Sequence, residues 1–309
     1  MTTGESVDAI VWFLQGVWSG IAGPLYVLFN IGTVLDFSDR ENVMRVIYYG
    51  ASKELFFFFF NTFVTVFIIG IFSHAFLWRV VIGLETFANV IGRTAAWAGL
   101  LMVLQQIIVI FLQSVFRVSE ISIGPFGVDF TQTLGWWGDG LKLYNAIIVC
   151  MCCAWTFVQG GHVRVDLFYA GSRHRTKRIV DMFGSVFFMM PAMILTWFYA
   201  WFFLWRHLST PPVNASDSLD LTLRKAMAFR WNVETTGFSP SGFNAYFLFK
   251  VLILVFAFMV LVQACAFFYR SWLEYREGPD SAGKYLDRDI IEPGEVEMAA
   301  PEHLVHGDR

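Results

Sequence analysis

Apolar residues run along this chain in blocks too long for a soluble core, and polar residues collect in the gaps between them. A membrane-crossing helix needs about 20 mainly apolar residues. Four stretches meet that need clearly: 94–116, 141–158, 179–205 and 245–269. A fifth, 55–82, opens on Phe56 to Phe60 and has Asn61 and His74 as its clearly polar breaks; Arg79 lies near its end, where a long cationic side chain can snorkel. A sixth, 12–35, carries Gly16, Gly20, Gly23, Pro24, Asn30 and Gly32, which soften a helix. It either spans the bilayer or lies partly in the interface, and a span is the preferred reading. The expected fold is an all-α integral membrane protein. Segment 84–93, with Glu85, Asn89 and Arg93 among Leu84, Phe87, Val90 and Ile91, reads as a short interfacial helix. A second such helix is expected near Leu219 to Trp231, capped by Ser216 to Ser218. Beyond Tyr275, Gly278-Pro279, Pro293-Gly294 and scattered charges read as a disordered tail.

Composition supports this pattern. Charged residues make up 15% of the chain, against about 25% in soluble domains. Nothing resembles a basic nucleic-acid surface. The placement of the charges says more than their sum. Residues 159–178 hold Arg164, Arg173, Arg175, Lys177 and Arg178, and five more Lys and Arg follow from Arg270 onward, whereas 117–140 hold Arg117 alone. Each Arg or Lys at a bilayer centre costs roughly 2.5–3.5 kcal/mol on insertion scales, and excess positive charge marks the cytoplasmic side. The connector 159–178 and the tail are therefore expected inside, and 117–140 outside. Loop 206–244 then lies outside despite Arg206, Arg224, Lys225 and Arg230, a mild conflict with the same rule. Six spans put both termini inside; five put the N-terminus outside. The first ten residues carry Glu5 and Asp8 and no Lys or Arg, unlike a cleavable signal, so a retained helix is expected to direct insertion. Trp136, Trp137, Trp205 and Trp272 sit at span ends, as an aromatic belt would.

Candidate chemistry is sparse. Cys150, Cys152, Cys153 and Cys265 all fall inside apolar runs, with no disulfide or zinc spacing, and read as packing residues. His74 is the one histidine placed deep in a span, and bis-imidazole haem ligation would need a second. Gln105, Gln106, Gln113, Asn145 and Gln263 are intramembrane amides, better read as bridges between helices than as a solute path. The strong spans contain no Asp or Glu apart from Asp181 at one mouth, so the chain is a poor ion-coupled carrier by itself. No Gly-x-Ser-x-Gly, His-Glu-x-x-His or Walker loop is present, and no enzymatic activity, cofactor or metal is expected.

The connector carries the most specific pattern. Gly160-Gly161 can end a helix, after which His162, Arg164 and Asp166 alternate with Val163, Val165 and Leu167. Arg173, Arg175, Lys177 and Arg178 follow as a cluster suited to anionic headgroups. On these residues alone, a generic basic loop and a specific subunit or lipid contact both remain open. Gly-Gly-His-Val-Arg-Val-Asp after an apolar span, followed by a basic turn and a new span, resembles the small permease subunit (DctQ type) of tripartite ATP-independent periplasmic (TRAP) transporters. Gly92-Arg93 leading to Val115-Phe116-Arg117, then Arg178-Ile179-Val180-Asp181, Lys250 and Leu261-Val262-Gln263, resembles the family's first, third and fourth helices. Val233-Glu234-Thr235-Thr236 approximates its Gly-Glu-x-Ser element; Leu134 to Asp139 stands where an acidic pair is common.

The resemblance implies a four-helix family core at 85–275, an extension at 1–84 with one or two extra spans, and a cytoplasmic tail at 276–309. It implies a scaffold subunit in a bacterial inner membrane, partnered by a large DctM-type permease that holds the substrate and sodium sites and by a periplasmic substrate-binding protein. The cargo would be an organic acid anion. His162, Arg164 and Asp166 are expected to shape the connector and meet partner or lipid. Arg173, Arg175, Lys177 and Arg178 would meet membrane phospholipids, and Glu234 would lie on the outer face. The alternative is a membrane anchor of an electron-transfer or enzyme complex, which His74 and the aromatic richness would suit.

Overall fold

A chain in lipid must satisfy its backbone polar groups internally, and long helices do so. The computed structural model describes residues 3–34, 40–123, 130–159, 172–209, 216, 218–227, 243 and 245–286. In chain order the elements are α1 (Thr3–Phe29), α2 (Ile31–Val34), α3 (Arg40–Tyr49), α4 (Lys53–Phe72), α5 (His74–Ser114), β1 (Glu120–Ile123), β2 (Phe130–Thr133), α6 (Leu134–Gln159), α7 (His174–Gly184), a π-helical turn (Ser185–Met189), α8 (Met190–Ser209), α9 (Leu219–Met227) and α10 (Phe247–Glu277). Six of these runs are long and apolar enough to cross a membrane: Asp8–Val27, Lys53–Phe72, His74–Ser114, Leu134–Val158, His174–Arg206 and Phe247–Glu277. The protein is an all-α, multi-pass membrane protein.

Three expectations about boundaries change. The fifth apolar block does not run to residue 82. It breaks at Ser73, whose extended backbone (φ −136°, ψ 92°) ends α4 and whose hydroxyl accepts from Phe76 N–H at 3.4 Å to begin α5. Segment 84–93 is not a separate interfacial helix. It is the middle of α5, whose 41 residues extend about 60 Å at the α-helical rise, and Glu85 and Asn89 are buried there rather than facing headgroups. The chain past Tyr275 keeps its order to residue 286. Helix α10 reaches Glu277, Gly278 closes it at φ +93°, where a side chain would be strained, and a 3-10 turn follows at Pro279–Ser281. Residues 287–309 lie outside the described residues. A feature absent from the periodicity is the antiparallel hairpin β1–β2, in register from Glu120↔Thr133 to Ile123↔Phe130. The expected helix after residue 218 is present as α9, with Ser218 Oγ accepting from Leu221 N–H at 3.4 Å.

Helix α10 is the axis of the molecule. It packs against α5, α6, α7 and α8, and 44% of its most apolar window is buried, against 11–17% in the other five spans. Leu77, Trp78 and Val81 of α5 meet Tyr269 and Leu273 of α10; Ala88 and Ala154 close on Met259; Ala200 and Leu204 close on Leu254. Small residues set the close approaches, as is usual between helices in lipid. A Cβ on Gly92 would strike Trp155 of α6, and Cys152 Sγ donates to Gly92 O at 3.3 Å across the same contact. Gly16 and Gly20, which soften α1 on paper, are one turn apart and form the face that receives Phe57 of α4.

Helices α1 and α4 thus form a hairpin beside the core. Asn61 Nδ2 donates to Val17 O (2.9 Å) within it. Its ties to the core are aromatic. Phe63 and Phe67 lie against Phe268, Tyr269 and Trp272, and Tyr269 Oη donates to Phe63 O at 2.9 Å. Towards the other end of α4, Trp197 and Trp201 of α8 donate to Gly50 O (2.9 Å) and Ile47 O (2.8 Å).

Replacing Gly92 by Ala forces α5 and α6 apart, and overpacking of this kind costs about 1–3 kcal/mol. The variant is expected to lower the thermal midpoint in detergent, while Gly83→Ala, where an added Cβ meets nothing within 4 Å, leaves it unchanged or raised. Equal midpoints for the two variants would contradict the contact.

Candidate functional site

The apolar run of α10 ends at Phe268, and the next turn carries Arg270 and Glu274 with 6% and 1% of their side chains exposed. Two charges buried this deeply persist only when paired and hydrogen-bonded. Arg270 is held in a fork by Glu85 of α5: Nε donates to Oε1 at 2.6 Å and Nη2 to Oε2 at 2.5 Å. Its remaining nitrogen, Nη1, donates to Lys284 O at 2.8 Å and lies 3.7 Å from Glu274 Oε1. The guanidinium also sits 5.3 Å from the ring centre of Trp78, a cation–π geometry that favours arginine over lysine.

Glu274 extends the network to α7. Its Oε2 lies 2.5 Å from Arg178 Nη2, a charge contact without hydrogen-bond alignment, and its Oε1 accepts from Gly283 N–H at 3.2 Å. Arg178 Nη1 donates to Asp181 Oδ2 at 3.1 Å. His174 Nε2 lies 3.1 Å from the Glu274 carbonyl oxygen. Glu277, one turn on, receives the Trp78 indole N–H at 3.0 Å and lies 3.4 Å from His74 Nδ1. Glu85, Glu274 and Asp181 thus face Arg270 and Arg178, three carboxylates to two guanidiniums. They join α5, α7 and α10 with the turn after α10 at one end of the bundle.

The expected site residues separate into groups. His162, Arg164, Asp166 and Glu234 lie outside the described residues. Arg173 and Arg175 are exposed at the start of α7, and Lys177 is half-buried with a partner in the chain. Arg178, expected beside them at the lipid surface, turns inward to Glu274 and Asp181 and leaves 19% of its side chain exposed. The reason is helical phase: Arg178 and Asp181 are three residues apart and share the face that α10 covers. His74 is not deep in a span either. It is the first residue of α5 and sits at the charged end of the bundle, with 37% of its side chain exposed.

The charge network is what the sequence reading missed. Glu85 stands in a mixed segment that reads as surface, Arg270 reads as the first of the basic residues of the tail, and nothing in the pattern of apolar blocks singles out Glu274. A signal existed. Glu85 has Val81 and Ala88 on its own helical face, and Arg270 and Glu274 are four apart with Leu273 between them, so a charged face alternates with apolar neighbours on both helices.

Polar anchors also occur away from this end. Gln105 Nε2 of α5 donates to Trp137 O at 2.7 Å, the kind of interhelical amide bridge expected there. Lys250, 2% exposed in the first turn of α10, places Nζ 4.5 Å from the ring centre of Phe203 and 5.4 Å from that of Tyr246. Among the described residues no group of three or more His, Cys, Asp or Glu is arranged to hold a metal ion. No protein-family model, curated protein or solved structure matches the chain.

Breaking a buried pair by removing one partner costs about 3–5 kcal/mol, because the other charge is left uncompensated. Arg270→Ala and Glu85→Ala are each expected to destabilise on that scale. The double variant Glu85→Leu, Arg270→Met, which removes both charges and keeps their volume, recovers much of the loss. Unfolding in detergent measures all three. A double variant as unstable as the sum of its singles would rule out the coupling.

Proposed function

We propose that the chain is the small scaffold subunit of a TRAP-type secondary transporter, importing an organic acid anion with sodium coupling beside a large permease and a periplasmic binding protein. The observation that carries this reading is Gly160-Gly161-His162-Val163-Arg164-Val165-Asp166 between the end of α6 and the start of α7. Six membrane-length helices and the resemblances along α5, α7 and α10 support it. The substrate and sodium sites would lie in the large subunit. The connector and the end of α10 would face the cytoplasm of a bacterial cell, following the basic residues around them.

The interior charges suit such a role. Glu85, Arg270, Glu274, Arg178 and Asp181 answer one another across three helices, and buried charges that meet one another hold a bundle in one arrangement. A subunit against which another must move benefits from that rigidity. His74 lies at a helix end against Glu277, a position that gives the electron-transfer alternative no support.

Gentle affinity purification of the tagged chain is expected to bring down a large multi-span permease. Arg164→Ala should reduce that co-purification and transport without altering which solute is carried. Recovery of the chain without any permease, or full uptake and normal co-purification in the variant, would overturn the assignment.

A further inference from the structure

The α1–α4 hairpin stands off from the core along part of its length and leaves a cleft of about 320 Å³ between α4, α5, α8 and α10. Phe59 and Phe63 of α4, Val80 and Leu84 of α5, Ile194 of α8 and Phe258 of α10 line it. The hydroxyl and indole groups along it are already engaged, and the Cys265 thiol is weakly polar. Thr62 Oγ1 donates to Phe58 O at 2.8 Å, Tyr269 Oη to Phe63 O, and Trp197 Nε1 to Gly50 O. Such a space does not hold water, which needs two to four polar partners. Left empty, its lining would forfeit dispersion contacts on one side.

A second feature points to what fills it. From the start of α7, Arg175, Ile179, Phe183 and Phe187 follow at intervals of four, so they form one stripe on the helix. The three apolar members are about half exposed or more, and Phe183 and Phe187 stack at 4.5 Å. Beyond Phe187 the same helix continues through the π-helical turn to Met190 and Ile194, which line the cleft. Arg175 stands at its far end, exposed, with Arg173 two residues away. From Arg175 to Met190 is about 22 Å at the helical rise. Half a bilayer with its headgroup region is about 20–22 Å.

We propose that this cleft and stripe form a site for one anionic phospholipid of the adjoining leaflet, its phosphate against Arg175 and Arg173 and an acyl chain along Phe183 and Phe187 into the space beside Ile194. The lipid would act as a filler between hairpin and core, completing packing that the protein's own side chains leave open. Charge at one end and an almost wholly apolar lining at the other match the two parts of a phospholipid. The site depends on the helices lying in a bilayer and is independent of the transport reading, so a chain that pulls down no permease can still retain the lipid.

The test is native mass spectrometry of the full chain purified in mild detergent, with lipid extraction after delipidation. Wild-type protein is expected to retain a phospholipid, enriched in anionic headgroups over the host membrane. Ile194→Trp, which fills the cleft, should lose it, and Arg175→Ala should lose the anionic enrichment. Photo-crosslinking from a benzophenone side chain at position 194 provides a second readout in membranes, should the tryptophan variant fail to fold; an adduct with phospholipid is the expected product. A wild-type chain that retains no phospholipid, equal retention in a folded Ile194→Trp variant, or crosslinks to polypeptide alone would overturn the proposal.

Discussion

The fork between Arg270 and Glu85 is the interaction on which the charged end of the bundle depends. Both groups are almost wholly removed from water, and neither can be abandoned by the other, since an ion left alone in that setting costs several kcal/mol. Their pairing fixes α5 against α10 in rotation as well as distance, because a bidentate contact has only one good geometry. Glu274 then brings in α7 through Arg178, and the turn after α10 supplies Lys284 O to Arg270 and the Gly283 N–H to Glu274. The apolar contacts above it, Leu77, Val81, Tyr269 and Leu273, are less directional and follow the alignment that the charges impose.

The hairpin of α1 and α4 obeys a different rule. No buried ion pair ties it to the core among the described residues. Phenylalanine rings of α4 do so instead, two indole N–H groups of α8 hold Ile47 and Gly50 just ahead of α4, and glycine faces on α1 let Phe57 close the hairpin on itself. Aromatic contacts tolerate small shifts that a charge fork does not. The molecule thus combines a rotationally locked core with a hairpin held by softer contacts, and the cleft lies at the boundary between the two.

How much of this was written in the sequence depends on the element. Apolar blocks longer than 17 or so residues announce helices in lipid, so five spans are legible from block length, and the sixth, softened by glycines, is legible with an interfacial segment as its alternative. The break at Ser73 was not, because a serine cap inside an apolar stretch changes the pattern by a single residue. Glu85 misled for a related reason. With Asn89 and Arg93 nearby, its segment looks amphipathic; Val81 and Ala88 on the face of Glu85 hint otherwise, and the partner on a helix 185 residues away makes the inward direction plain. Arg178 stands next to Arg173, Arg175 and Lys177 along the chain, and what sets it apart is the carboxylates it meets, Glu274 and Asp181. Sequence shows which residues are charged; whether a charge meets water or protein is decided by what lies across from it.

The π-helical turn at Ser185–Met189 carries a consequence of its own. Each residue in an α-helix turns the chain by about 100°, and a π turn inserts one beyond the α-helical count. Ser185 Oγ donates to Asp181 O at 2.8 Å beside this insertion. Everything on α7 is therefore advanced by one position relative to α8. The face that α10 meets as Arg178 and Asp181 is not the continuation of the face it meets as Ala200 and Leu204. One inserted residue lets a single long helix present ionic partners at one depth and small apolar partners at another, each turned toward the same neighbour. The helix behaves as two keys cut on one shaft, and the insertion sets the angle between them.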